Sequence, residues 1–118
     1  MRETLNSFLN LKVYQKSYQL ALEIHKLKRT FPDTERYEIG AQLRRAAVSI
    51  PANIAEGYGR KNSKAEFKHF LRNALGSCNE MQVLLSLSYD LGYLKDNDYF
   101  QQYDELGKQI YRLIEVWK

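Results

Sequence analysis

Ile39-Gly40-Ala41-Gln42-Leu43-Arg44-Arg45-Ala46-Ala47-Val48-Ser49-Ile50-Pro51-Ala52-Asn53-Ile54-Ala55-Glu56-Gly57-Tyr58-Gly59 is the stretch that decides the fold. Its residues Ile39, Leu43, Ala46 with Ala47, Ile50 and Ile54 recur at threes and fours, the period of one helical face. The run ends around Gly57-Tyr58-Gly59, where glycine takes the left-handed conformation that commonly closes a helix. Pro51 stands inside it, removing one amide donor and crowding the carbonyl of Ala47, at about 3 kcal/mol in a straight helix. A kink at Pro51 is therefore predicted. Either the small neighbours Ser49 and Ala52 accommodate it locally, or it shapes an interface.

The same period extends outward in both directions. Upstream, Val13, Ser17, Leu20, Ile24, Leu27 and Phe31 form one face, and Pro32 stops it by disfavouring helical geometry at Phe31. Downstream, Ser63-Lys64-Ala65-Glu66 reads as a capping box. It opens a stripe of Phe67, Phe70, Ala74, Ser77, Met81, Leu84 and Ser88 that ends before Gly92. Asp96 is placed to cap a last helix whose inner face is Tyr99, Tyr103, Leu106, Ile110, Leu113 and Trp117. Helices are predicted near 11–31, 35–58, 64–91 and 97–117. Short connections make them an all-α, up-down-up-down antiparallel four-helix bundle, one domain over 1–118 with residues 1–10 as an N-terminal extension.

Composition agrees with that class and narrows the chemistry. The chain has 118 residues, of which 44% are apolar and 27% charged, the balance of a globular domain. Six glycines and two prolines are too few for a strand-and-turn protein. Cys78 stands alone, so no internal disulfide and no cysteine metal cluster is possible. No apolar run reaches the ~18 residues of a membrane span. Met1-Arg2-Glu3-Thr4-Leu5-Asn6 has no signal-peptide core, which points to the cytoplasm. Glycine-rich phosphate loops, His-Glu-x-x-His and Gly-x-Ser-x-Gly are missing. Glu66 and His69 make a single Glu-x-x-His, without the paired copies and inward glutamates of a di-iron bundle. No enzyme, cofactor or metal is expected, and a buried Cys78 is expected to be inert.

Two surface features remain. Helices one to three each carry a second apolar face: Leu11, Tyr18 and Leu22; then Ala41, Val48, Ala52, Ala55 and Gly59; then Gly76, Val83 and Leu87. A lone bundle needs one apolar face per helix, so these predict contact with other copies of the chain. The other feature is charge. The net charge is +4, and Arg44, Arg45, Arg60, Lys61, Lys64, Lys68 and Arg72 face only Glu56 and Glu66 between positions 44 and 72. Lys61, Lys64, Lys68 and Arg72 recur at helical spacing beside a helix N-terminus, a favourable arrangement for phosphate. Tyr58, between two glycines and beside bases, is a candidate for stacking on an unpaired base. A solvated basic face or intersubunit ion pairs would use the same residues differently.

The segment from Gln42 to Gly57 closely resembles the small four-helix-bundle proteins first known from intervening sequences inside 23S ribosomal RNA genes. The likeness extends to Val13-Tyr14-Gln15-Lys16, Phe31-Pro32, Glu66-Phe67, Phe70-Leu71, Gly76-Ser77 and Leu91-Gly92-Tyr93-Leu94. Tyr14 replaces a frequent tryptophan and Cys78 a usual leucine. The resemblance implies a ring-like homo-oligomer, a pentamer. It also implies a distant relation to the accessory protein of diversity-generating retroelements, which binds nucleic acid and a reverse transcriptase. It transfers no catalytic residue. Two functions follow as expectations: an oligomeric RNA-binding module, or a ring-shaped adaptor for a protein partner without nucleic-acid contact.

Overall fold

A computed structural model describes residues 7–118, with residues 28 and 29 described by their backbone alone. The opening stretch, on which the expectation about a signal peptide rests, lies outside the described residues. The chain is helical throughout, with no strand among the described residues. The helices are α1 (Lys12–Lys26), α2 (Asp33–Arg36), α3 (Ile39–Tyr58), α4 (Lys64–Asp90) and α5 (Asp98–Val116). Short 3-10 turns, Phe8–Asn10 and Leu27–Thr30, flank α1. The four long helices pack as a four-helix bundle: α3 lies mainly on α4, α4 on α5 and α1 on α3, with a thinner seam between α1 and α5.

Contacts between neighbours pair residues in reverse chain order. Gly57 of α3 lies against Phe67 and Phe70 of α4, and Ser49 bonds Ser77 through their hydroxyls. Gln82 of α4 reaches Asp104 of α5 at 3.3 Å, while Phe67 packs on Trp117 with ring centroids 4.6 Å apart. Lys16 and Glu23 of α1 bond Gln102 and Tyr99 respectively. Each of these helix pairs therefore runs antiparallel.

The predicted stripes of α1 and α3 are buried almost as read, and they join one contiguous core. On α4 the buried arc is wider. Leu71, Cys78 and Leu85 are buried beside Phe67, Ala74, Met81, Leu84 and Ser88, because α4 packs on α3 to one side and α5 to the other. Among the described residues no helix is long and apolar enough to cross a membrane.

Three local expectations are corrected. The segment predicted as one helix from residue 35 is split: α2 is a single turn, and Tyr37 and Glu38 separate it from α3. Gly59 is right-handed (φ −64°), because α3 runs on into successive tight turns, with Arg60 N bonding Gly57 O and Lys61 N bonding Tyr58 O. The left-handed glycine is Gly92 (φ 87°), which closes α4 while Gly92 N bonds Tyr89 O and Tyr93 N bonds Ser88 O. Gly57 serves close approach instead: a Cβ there would stand 2.7 Å from Phe70 Cβ. The α4 capping box is half made. Ser63 Oγ accepts from Glu66 N at 3.2 Å, but the Glu66 carboxylate turns to Arg60.

Candidate functional site

The predicted basic residues separate into engaged and free groups. Arg60 is engaged. Its Nη2 lies 2.8 Å from Glu56, its Nη1 lies 3.2 Å from Glu66, and its guanidinium sits 5.3 Å from the centre of the Phe70 ring. The hydrogen bond to Glu56 leads the effects that raise its pKa above the ordinary value. Lys61 is drawn back over Tyr58, with Nζ 4.6 Å from the ring centre. Arg44 points toward α2: Nη2 donates to the Arg36 carbonyl at 3.3 Å, and Nη1 is buried.

Tyr58 is withdrawn as a stacking platform. It is 9% exposed, with its ring edge-on to Phe67 and Trp117, so it closes the end of the core. Glu66 and His69 are not brought to a common site either. Glu66 pairs with Arg60, and the His69 ring meets Phe70 at 5.4 Å.

Lys64, Lys68 and Arg72 remain. They follow one another by four residues on α4, so they form a stripe along its first two turns and a half, roughly 12 Å long. None makes an ion pair among the described residues. The stripe begins at the α4 N-terminus, where the helix dipole is positive and Ser63 Oγ caps the Glu66 amide. Arg45 is exposed too, but it lies nineteen positions before Lys64, across the turn between α3 and α4. Arg45 stands about 20 Å along α3 from that end. The seven basic residues therefore do not form one patch.

The predicted apolar second faces of α1 and α3 do converge. Tyr18 and Leu22 of α1 and Val48, Ala52 and Ala55 of α3 line one groove of about 370 Å³, floored by Ala21 and Pro51. Phe8, Tyr14 and His25 complete it, and no Asp, Glu, Lys or Arg lines it. Tyr18 is 51% exposed, Leu22 and Val48 46% each, which is a large apolar exposure for one side of a small bundle. Leu11 is not part of the groove; it lines a separate depression between α1 and α5 with Leu113 and Val116. Ala41 lies on the same face of α3, half-buried, nearly two turns before Val48. The participation of Phe8 and Tyr14 was not read from the sequence; the packing of Phe8 on Tyr14, with ring centroids 4.9 Å apart, brings them to the rim.

Elsewhere, buried groups are chemically quiet. Cys78 is fully buried in α4, and desolvation pushes its thiol up to about 12. Tyr103 is fully buried and held protonated by the same effect.

No functionally curated protein matches the chain. A solved structure from Bacteroides thetaiotaomicron, described as a protein of unknown function from the S23 ribosomal protein family, is 27% identical. The alignment covers 88% of this chain and 99% of that one, with a TM-score of 0.78. Its fold is thus shared across nearly the whole bundle. The signature of the 23S rRNA-intervening sequence protein matches residues 9–115, from the 3-10 turn before α1 to the last turn of α5. The chain belongs to the 23S rRNA-intervening sequence protein family.

Proposed function

We propose that this protein is a non-enzymatic, homo-oligomeric RNA-binding module of the cytoplasm. Copies associate through the apolar groove between α1 and α3, and five is the copy number that the family resemblance suggests. Each copy presents the Lys64–Lys68–Arg72 stripe to phosphate. The observation that carries the reading is that these three cations are consecutive on one helix face and lack acidic partners, whereas Arg60 and Arg44 are held by groups of their own chain. Three phosphate contacts per copy are weak alone, and repetition around an assembly adds them.

The test is a mobility shift with a labelled RNA hairpin carrying a single-stranded tail, at ~50 mM salt, where phosphate contacts are strongest. Wild type should shift it, with a logarithmic salt slope steepened by about 2 to 3 for each subunit engaged. Changing Lys64, Lys68 and Arg72 together to Glu should abolish the shift and leave the particle mass unchanged. Absence of any wild-type shift at that salt overturns the RNA reading.

The adaptor reading has its own support: Arg44, Arg60 and Lys61 are engaged within the chain, which removes three of the seven cations from any phosphate surface. Capture of one protein partner that survives nuclease treatment, without an RNA shift, would favour it.

A further inference from the structure

We infer that the α1/α3 groove of one copy receives the exposed ridge on the C-terminal half of α4 of the next, so that copies join head to tail. This deepens the homo-oligomeric reading above and rests on it. Two of the exposed apolar surfaces among the described residues have opposite shapes. The groove is concave and lined without charge. The ridge is convex: Val83 is 66% exposed and Leu87 45%, four residues apart on one face, and a Cβ at Gly76 on that face would meet nothing within 4 Å. That face is turned away from the buried Ala74, Cys78, Met81 and Leu85 of the same helix. Groove against groove across a two-fold axis would leave two hollows facing each other, against the close packing of protein interfaces. A ridge fills one.

Charge sets the same pairing. Arg45 stands exposed in the depression that continues the groove beyond Val48, together with His25 and Arg44, and it makes no ion pair among the described residues. Glu80 and Asp90 stand exposed on α4, three residues before Val83 and three after Leu87, and are equally unpaired there. An apolar ridge bracketed by carboxylates meets an apolar groove that ends in a cation. Such a contact uses different patches on the two partners, so repeating it closes a ring or extends a filament.

A mixing experiment separates head-to-tail from two-fold pairing. Ala52→Glu blocks the groove and Val83→Glu blocks the ridge; both positions are exposed, so the bundle should stay folded by circular dichroism. Leu22→Glu replaces Ala52→Glu if that chain unfolds. By sedimentation velocity at micromolar concentration each variant alone should be a monomer. An equimolar mixture should give a species of twice the 13.9 kDa chain and nothing larger, because one good groove and one good ridge remain. A Val83→Glu chain that dimerises alone, or a mixture that stays monomeric beside an oligomeric wild type, overturns the head-to-tail contact while self-association stands. A monomeric wild type overturns both.

Discussion

Replacing Gly57 by Ala tests whether α3 and α4 meet as closely as the packing indicates. In an exposed helix interior the change favours Ala by about 1 kcal/mol. Here the new Cβ would stand 2.7 Å from Phe70 Cβ and 3.1 Å from Phe67 Cδ1, with the Phe67 carbonyl oxygen at 3.3 Å. The first of those atoms belongs to the start of a side chain, so relief requires α3 and α4 to move apart by most of an ångström. That loosens the Phe67 contacts with Tyr58 and Trp117. Overpacking of this kind costs about 1–3 kcal/mol, which exceeds the helix-forming gain over most of its range. Gly107 of α5 supplies the control. It is buried, yet a Cβ there meets Leu75 Cδ1 at 3.5 Å and Cys78 Cβ at 3.8 Å, ordinary contact distances. Gly107→Ala should therefore add the propensity gain and a buried methyl, roughly 1–2 kcal/mol together. The assay is thermal unfolding followed at 222 nm, at one fixed protein concentration because self-association shifts Tm. Gly57→Ala should lower Tm and Gly107→Ala raise it, by roughly 3–6 °C per kcal/mol for a chain of this size. If both substitutions raise Tm alike, the close crossing at Gly57 is refuted.

Three further outcomes follow from buried and capping groups. Burial raises the Cys78 thiol from its ordinary 9.0 to about 12 and, with the bond to Glu23, the Tyr99 hydroxyl from 10.0 to about 12. Both groups ionise more readily once unfolded, so their contribution is intact below pH 9 and erodes as pH climbs toward 12; for the fully buried Cys78 the loss is about 1.4 kcal/mol per pH unit. Urea unfolding of Cys78→Val should lose the part of that slope between pH 9 and 10, and an unchanged slope would contradict the burial argument. Ser63→Ala removes the acceptor for Glu66 N and should cost about 1 kcal/mol in the same assay; no loss would mean the cap is immaterial to α4. Tyr103 Oη is buried with no partner among the described residues, so Tyr103→Phe should leave stability unchanged or raise it by up to about 1 kcal/mol. A loss larger than 1 kcal/mol would show that the hydroxyl is bonded.

Helical period carried most of the fold. Leu43, Ala47, Ile50 and Ile54 are buried because a residue's place on a helix wheel follows from spacing alone. The α4 stripe was read about one residue toward α3, and Leu71 and Leu85 were missed, because a helix with neighbours on both sides buries an arc wider than one stripe. The groove was legible for a similar reason: Tyr18, Leu22, Val48, Ala52 and Ala55 are apolar on the face opposite each helix's core stripe. The basic site was legible only in part. Spacing places Lys64, Lys68 and Arg72 on one face, but it says nothing of where long side chains turn. Arg60 found Glu56 one helical turn back, and Lys61 found the Tyr58 ring, both through geometry set by the tight turn between α3 and α4. Tyr58 is buried because it is the last residue of α3, one turn beyond Ile54 on the same inward stripe, so the period that marks Ile50 and Ile54 also carries Tyr58 into the core.

The two surfaces follow one another along one face of α4. The helix is roughly 40 Å long by its residue count. Its cations lie between positions 64 and 72, and its apolar ridge between 76 and 87. A neighbour seated on the ridge would leave Lys64 and Lys68 clear, while Arg72 stands one turn, about 6 Å, before Gly76 on the same face. The stripe's outward charge would then be fixed relative to the assembly by a rigid helix rather than by a loop. That matters energetically, since avidity is realised only when all sites engage one ligand without further ordering. A monomer offers three cations on one face and should hold RNA feebly. If the proposed assembly and the proposed RNA contact both hold, loss of the ridge should cost RNA affinity, whereas loss of the stripe should leave the assembly intact.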